Sequence, residues 1–270
     1  MSVISGDSSS YSRRSGIVAP DLGWTPPIRY LLRRQRILSL LETQPRGKLL
    51  EVGCGGGALL CDLTRMGYNV HGLETSSAAH RMASQLAGRS GSPHEVAALP
   101  GEAWEGSFDF VCAFDVLEHI EDDAQALEQW LSWMAPGGKL LLSVPAHRSR
   151  WSAGDVWAGH FRRYDRRDLL ALVDAAGLVT ERLECYGFPL ANLTELLGNF
   201  AYRRMIAARA NNSKAESTAE SGIDRRSYSK VASLMFSLPG QAALSMAGVA
   251  QSLTLRTDWG SGYLLLAHRA

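Results

Sequence analysis

From Lys48 onward, the chain alternates short apolar runs with stretches of helical periodicity. Strands are predicted at 48–52, 69–73, 94–97, 108–114, 139–144 and 179–186, and helices at 57–66, 77–86, 124–134 and 167–176. Strands separated by helices pair in parallel through right-handed crossovers. The pattern therefore predicts a doubly wound, Rossmann-like α/β fold around a mostly parallel sheet.

The pattern changes before and after this region. Residues 1–21 are rich in Ser, Gly and Arg, which predicts a flexible tail. A helix is predicted at 28–42, where two prolines suit the first turn. Its basic residues predict a solvated face, with contact to anionic lipid or substrate as the alternative. They are Arg29, Arg33, Arg34 and Arg36.

After Pro189 the strand–helix alternation stops. A helix is predicted at 190–210, a polar loop at 211–227, an apolar stretch at 231–255 and a last strand at 263–267. The chain is therefore divided into a core at 22–189, a helical insertion at 190–257 and, at 258–270, the last strand of a seven-stranded sheet.

Composition narrows the classes of function. The 270 residues carry a net charge of +1 at pH 7, which gives no field for non-specific binding of nucleic acid. The four cysteines are scattered in apolar contexts, which predicts reduced, mostly buried thiols. No signal peptide or transmembrane span is expected, and the protein is expected to be cytoplasmic.

A glycine-rich turn carries the main chemical signal. Residues 49–60 read LLEVGCGGGALL, a strand, a turn and a helix start, and the second strand ends at Glu74. A carboxylate there can accept hydrogen bonds from ribose hydroxyls. The same string also fits a dinucleotide site, but a pyrophosphate would be repelled by Glu51, whereas a sulfonium and an ammonium would be attracted. The turn thus favours S-adenosylmethionine over a nicotinamide dinucleotide.

Three motifs carry a family resemblance. The turn EVGCGGG resembles the first motif of class I S-adenosylmethionine-dependent methyltransferases. Ser107–Ile120, SFDFVCAFDVLEHI, resembles their fourth strand and the loop after it, and Met134–Val144, MAPGGKLLLSV, resembles the turn into their fifth strand. The motifs occur in the family's order, and the similarity covers about residues 28–186.

The resemblance implies positions for the parts of the cofactor. Its methionine portion would be lined by Glu51, Gly53, Cys54, Gly55 and Gly57. The ribose would lie at Glu74 and Thr75, the adenine at Ala98 and Leu99, and Asp115 beside both cofactor and acceptor. The family often has an acidic residue near the adenine, and this chain lacks it.

Candidate catalytic residues follow two of the strands. Methyl transfer is an in-line displacement, so the protein must align the nucleophile and remove its proton. The candidates for this work are Asp115, His119, His160 and Tyr164. In one hypothesis His160 or His119 is a general base.

In a second hypothesis the same segments hold a divalent cation. The ligands would be Asp115, Glu118, His119 and His160. This rests on resemblance, because D-x-x-E-H followed by a later His is similar to E-x-x-E-H plus His in small-RNA 3′-end methyltransferases and some ubiquinone-pathway O-methyltransferases. In a third, Glu118 and His119 only cap or pack the loop.

The segment 144–177, which contains GHFRRY at 159–164, resembles a bacterial methyltransferase subgroup with a His-x-Arg-Arg-Tyr signature, whose loop folds over the acceptor site. Arg162 or Arg163 would then be able to grip an acidic acceptor. The loop would also bring an apolar or aromatic wall to the acceptor, formed by Trp151, Trp157, Phe161 and Tyr164. Packing of these rings under the loop is an equally good account, with Arg162 and Arg163 solvated. The predicted substrate contacts are His147, Trp151, Trp157 and Arg162.

The insertion supplies many apolar side chains. They predict a lid over a hydrophobic acceptor, with a homodimer interface and then peripheral membrane contact as alternatives. They are Leu234, Met235, Phe236, Leu238, Leu244, Met246, Val249 and Leu253. The expected function is methyl transfer to an O or N nucleophile of a small, hydrophobic or aromatic molecule. The alternatives are an RNA or protein methyltransferase and a non-catalytic S-adenosylmethionine-binding partner.

Overall fold

The computed structural model describes residues 10–208 and 238–269. A short antiparallel pair, β1 (Ser10–Ser12) and β2 (Gly16–Val18), precedes the main sheet. The sheet strands are β3 (Lys48–Val52), β4 (Asn69–Leu73), β5 (Glu95–Ala97), β6 (Phe108–Phe114), β7 (Met134–Pro145), β8 (Leu178–Tyr186) and β9 (Gly262–Arg269). Their order is β5-β4-β3-β6-β7-β9-β8, and only β9 runs antiparallel to its neighbours. The predicted mostly parallel, seven-stranded α/β sheet is confirmed.

Eight α-helices lie in the described ranges: α1 (Ile28–Glu42), α2 (Ala58–Arg65), α3 (Ser77–Ser90), α4 (Asp123–Ser132), α5 (Ala153–Ala158), α6 (Arg166–Ala175), α7 (Leu190–Ala208) and α8 (Leu238–Thr254). Local chemistry sets several boundaries. Ser76 and Asp122 accept hydrogen bonds from the first turns of α3 and α4, and Gly91 ends α3 in the left-handed conformation.

Two apolar layers cover the sheet. One contains side chains of α4 and α6, such as Leu127 and Leu169, and the other contains side chains of α1 and α2, such as Ile37 and Leu60. Helices on both faces confirm the doubly wound arrangement. All four cysteines are buried and free, as predicted.

The residues before α1 differ from the prediction. Instead of a flexible tail up to residue 21, the described part forms β1, β2 and a 3-10 turn at Pro20–Leu22. Ile17 and Val18 are buried, and the Trp24 indole donates a hydrogen bond to the Ile17 carbonyl at 3.0 Å. A few apolar residues are sufficient to order this polar segment, because they pack against Trp24 and α2.

One further boundary differs. β7 begins at Met134, which pairs with Phe108 before a register shift, so α4 ends earlier than predicted. Pro239 lies in the first turn of α8 as described, a position where proline is tolerated. The predicted polar loop at 211–227 and Leu234, Met235 and Phe236 lie outside the described residues. No helix of the described ranges has the length and apolar character needed to cross a bilayer.

Candidate active site

The glycine turn joins β3 to α2 at the carboxyl edge of the sheet. Gly53 and Gly55 have φ angles of 65° and 55°, a region that favours glycine. A Cβ atom on Gly53 would lie 2.6 Å from Val116 Cγ2, whereas one on Gly55 would have nothing within 4 Å. The Gly53 and Cys54 amides donate to the Leu73 carbonyl at 2.8 and 3.2 Å. The turn is thus fixed to β4 on one side and open at Gly55, where a ligand can approach the backbone.

Glu74 lies beside this turn, as its position at the end of β4 predicted. Its Oε2 accepts from the Gly55 amide at 2.9 Å, and its Oε1 accepts from the Ser76 amide at 2.7 Å. Thr75, next to it, is exposed. Each carboxylate oxygen keeps a lone pair, so Glu74 is able to accept from a ribose.

The remaining predicted cofactor residues surround the turn. Gly57, with φ 70°, precedes α2, and Cys54 is buried with its thiol pKa raised, mainly by burial. Ala98 and Leu99 follow β5 and are exposed, Leu99 to 75%. An exposed leucine at this position is free to cover an adenine ring.

Glu51 is a buried acid at the end of β3. It is 5% exposed, and its Oε2 has no hydrogen-bond partner among the described residues. Burial raises the pKa of Glu51 to about 8, against the opposing effect of Arg33. An unpaired buried carboxyl is costly, so this position favours a cationic ligand.

The predicted solvated basic face of α1 is wrong, because its arginines bind carboxylates of the core. Arg29 Nη1 lies 3.2 Å from Asp115 Oδ2, and Arg33 also pairs with that oxygen. Asp115 has a φ of 57° and accepts a hydrogen bond from Ser143 Oγ at 3.2 Å. Burial would raise the pKa of Asp115, but the two guanidinium groups hold it below its usual value. The Asp115 carboxylate thus holds two guanidinium groups, those of Arg29 and Arg33, beside the site.

The other two arginines of α1 hold the helix in place. Arg34 binds Asp62 through two bonds of 2.6 Å, and Arg36 binds Glu184 through bonds of 2.8 and 3.0 Å. Both pairs are buried. Bidentate pairs of this kind fix orientation as well as distance, so α1 presents its Arg29 and Arg33 side chains to the site in a defined way.

The structure brings three of the four predicted metal ligands together. Ligand atoms of Glu118, His119 and His160 lie within 4.8 Å of one another, while Asp115 lies with the arginines instead. The His119 and His160 rings meet edge to face at 4.6 Å between centroids. Burial, with His160 nearby, lowers the pKa of His119 to about 4.

Glu118 is the unusual member of this cluster. Its side chain is fully buried, and neither carboxylate oxygen has a hydrogen-bond partner among the described residues. Burial, reinforced by Asp115, raises the pKa of Glu118 well above its usual value. His160 Nε2 lies 3.9 Å from Glu118 Oε1. These surroundings are compatible with a protonated Glu118 carboxyl group or with a cation bound between Glu118 and His160.

Asp155 contacts His160, and it is not among the residues predicted from the sequence. Its Oδ1 accepts from His160 Nδ1 at 2.9 Å and from Arg163 Nε at 2.7 Å. Arg163 in turn pairs with Glu195 of α7. The spacing Ser152-x-x-Asp155 is a capping-box signal that could have located this short helix.

Tyr164 and Arg162, predicted as a catalytic residue and a substrate contact, both bind Asp123. The Tyr164 hydroxyl donates to Asp123 Oδ2 at 2.8 Å, and its ring is in the core. Arg162 Nη1 lies 2.7 Å from the same oxygen. These contacts tie the loop to α4, and they favour a structural role for both residues.

None of the other predicted substrate contacts belongs to the acid–histidine cluster formed by Glu118, His119 and His160. His147 has a φ of 65° and packs on Tyr263 at 5.5 Å between ring centroids. Trp157 packs on Tyr202 of α7 at 5.1 Å, and Trp151 is exposed. Trp157 thus joins α5 to α7, close to His160 in the chain.

Many apolar residues in the described part of the insertion are exposed. The large apolar residues Met246, Val249 and Leu253 of α8 are exposed, and so are five large apolar residues of α7. The α7 residues are Leu193, Leu196, Leu197, Phe200 and Met205. Leu244 lines a groove of about 950 Å³ between β1, α1 and α8, which includes none of the predicted cofactor, catalytic or metal residues.

Comparison with known proteins agrees with this geometry. The model of the methyltransferase domain matches residues 28–183, more than half of the chain. The chain belongs to this family, the class I S-adenosylmethionine-dependent methyltransferases. The ubiquinone biosynthesis O-methyltransferase of Ralstonia nicotianae is 38% identical over 38% of this chain and 44% of that protein. That of Sinorhizobium fredii is 26% identical over 68% of the chain and 84% of that protein.

The sequence matches cover only part of the curated relatives, and the solved structures resemble this chain at low sequence identity. The chain spans 40–51% of the length of several curated relatives that it matches. The [4+2]-cyclase SpnF superposes with a TM-score of 0.58 at 18% identity, covering 92% of this chain and 83% of that one. The magnesium protoporphyrin IX methyltransferase of Synechocystis, with bound S-adenosylhomocysteine, gives 0.51 at 15% identity over 88% and 80%. These structural matches confirm the fold, and the cyclase shows that the fold alone does not determine the reaction.

Proposed function

We propose that this protein is a methyltransferase that transfers a methyl group from S-adenosylmethionine to a hydroxyl oxygen of a small molecule. Two features at one edge of the sheet carry the proposal: the buried Glu51 at the glycine turn, whose Oε2 has no partner among the described residues, and the cluster of the buried Glu118 with two histidines. The first suits a cationic cofactor and the second suits the removal of a proton from an acceptor. The names of the relatives support oxygen as the acceptor atom.

The residues around the turn fit each charged part of S-adenosylmethionine. Glu51 would receive the ammonium group, for which its unpartnered Oε2 is available. Glu74 would accept from the ribose, and the open backbone at Gly55 would lie against the methionine chain. Arg33, which the sequence analysis did not assign to the cofactor, would pair with the carboxylate, since it already pairs with an acid beside the turn.

A divalent cation is the second part of the proposal. The two unpartnered oxygens of Glu118 and the nitrogens of His119 and His160 form a donor set that divalent metals accept. When bound, a cation would lower the pKa of an acceptor hydroxyl and orient it. Asp115 is left to hold Arg29 and Arg33.

The chemical step balances as a displacement. The acceptor oxygen forms a bond to the methyl carbon, the carbon–sulfur bond breaks, and the sulfur keeps the electron pair as a neutral thioether. Without a cation in the cluster, the hydroxyl proton leaves to His119 or His160, and the lowered pKa of His119 keeps its ring neutral at pH 7. With a cation held there, both histidines would be ligands, and the acidified hydroxyl would lose its proton to solvent.

The decisive experiment combines binding and turnover. Calorimetry with S-adenosylhomocysteine and with nicotinamide dinucleotides tests the cofactor, and binding of the dinucleotides alone would overturn the proposal. Transfer of an isotopically labelled methyl group to a panel of phenols and catechols tests the acceptor. Chelator treatment followed by addition of Mg²⁺ or Mn²⁺ separates cation-assisted transfer from catalysis by a histidine base, since undiminished turnover without metal eliminates the cation.

A further inference from the structure

The Asp155 carboxylate receives four hydrogen bonds inside the loop that carries His160. Oδ1 accepts from His160 Nδ1 at 2.9 Å and from Arg163 Nε at 2.7 Å. Oδ2 accepts from the Ser152 amide at 2.7 Å and from the Ser152 hydroxyl at 2.9 Å. The side chain is 1% exposed. A carboxylate so surrounded is ionised, immobile and only able to accept.

We propose that Asp155 is the positioning residue for His160: it holds the neutral ring with its hydrogen on Nδ1 and turns Nε2 toward Glu118 and His119. The hydrogen-bonding roles of Asp155 and His160 determine the tautomer of the ring. Since Asp155 only accepts, His160 Nδ1 must carry the hydrogen, and Nε2 of the neutral ring then carries the lone pair. That lone pair is the one that a base or a metal ligand needs.

Helix capping alone does not account for this arrangement. The capping box of α5 uses Ser152 and the Oδ2 atom of Asp155, which leaves Oδ1 for His160 and Arg163. Arg163 also pairs with Glu195 of α7. The Asp155 carboxylate is therefore fixed by Arg163 at Oδ1 and by Ser152 at Oδ2. His160 is therefore oriented by contacts that reach from α5 to α7. The proposal rests on the proposed function only in that His160 takes part in the chemistry there.

The test is the tautomer of His160, measured by ¹⁵N NMR on histidine-labelled, metal-free protein at about pH 8.5, where an ordinary imidazole is neutral. The His160→Gln variant assigns the signal. We expect a protonated Nδ1 and an unprotonated Nε2 in the wild type. An Nε2-protonated ring in the wild type overturns the proposal, whether or not any variant folds.

Two variants separate positioning from capping. Asp155→Asn removes the charge, and we expect the tautomer ratio to shift toward Nε2–H by about tenfold or more, as expected for a lost charged hydrogen bond. Ser152→Ala removes the cap and is expected to leave the tautomer unchanged. If both variants shift the tautomer equally, Asp155 acts only through the helix cap and the proposal fails.

A metal measurement distinguishes this proposal from the proposed function. Titration of Mn²⁺ is expected to show an affinity about 10–100-fold weaker in Asp155→Asn than in the wild type, which is usual when a residue that orients a metal ligand is lost. If the wild type binds no Mn²⁺ but shows the expected tautomer, the cation is refuted and Asp155 keeps its positioning role. If Mn²⁺ binds equally to both proteins, the positioning role is refuted for metal binding.

Discussion

The proposed pairing of Glu51 with the ammonium group of the cofactor predicts that the affinity for the cofactor depends on pH. Burial raises the pKa of Glu51 to about 8, so roughly nine-tenths of the free protein carries a protonated Glu51 at pH 7. Pairing with the ammonium of the cofactor requires the ionised form and lowers this pKa. Binding therefore releases a proton below pH 8, and the affinity rises with pH.

The size of the effect follows from the shift. One pKa unit corresponds to about 1.4 kcal/mol, so between about pH 6 and pH 7 the affinity for S-adenosylhomocysteine is expected to rise about tenfold. Calorimetry in two buffers of different ionisation enthalpy measures the proton release directly. The range stays below the titration of an ordinary α-amine, near pH 8, so that the ligand itself remains charged.

Glu51→Gln provides the variant for this measurement. It is expected to bind more weakly and to lose both the pH dependence and the proton release. Glu128→Gln, on an exposed position of α4, is the matched control and is expected to behave as the wild type. An affinity that stays constant over this range in the wild type would refute the reasoning from burial.

Three further predictions concern the surroundings of the site. Arg33→Ala is expected to weaken S-adenosylhomocysteine binding about tenfold or more, because a bound carboxylate loses its cation; unchanged calorimetric affinity would contradict this. Arg34→Ala leaves Asp62 buried without its cation and is expected to lower the free energy of unfolding in urea by about 3–5 kcal/mol, whereas Lys139→Ala, in a more exposed pair, is expected to lower it by about 1 kcal/mol at most. Gly53→Ala is expected to reduce the same affinity by about tenfold or more, because its Cβ would meet a side chain at 2.6 Å; wild-type binding would show that the turn adapts.

The glycine turn and Glu74 were predictable from the sequence because their placement depends on local order. A strand that ends in glycines and a second strand that ends in an acid meet at one sheet edge whenever the two strands pair in parallel. The grouping of Glu118 and His119 with His160 was expected instead from the resemblance to known methyltransferases. Residues at strand ends are thus the ones that a pattern of strands and helices can bring together.

The arginines of α1 and the acid of α5 were not predictable in this way. Arg29 and Arg33 look like a solvated face in sequence, since nothing in the helix period shows that an acid 80 or so residues later lies beneath them. Tyr164 looks like a catalytic residue in sequence, but its hydroxyl donates a hydrogen bond to Asp123 at the start of α4. Long side chains form ion pairs and hydrogen bonds with residues far away in the sequence, and helical periodicity does not indicate which residues these are.

The place of β9 in the sheet has a consequence for how the molecule assembles. β9 (Gly262–Arg269) lies between β7 and β8, although both of these strands are made earlier by the ribosome. Until β9 arrives, β7 and β8 lack their shared neighbour, while β3, β4, β5 and β6 already have theirs. The half of the sheet that carries the glycine turn is therefore able to form during synthesis, and the other half closes last.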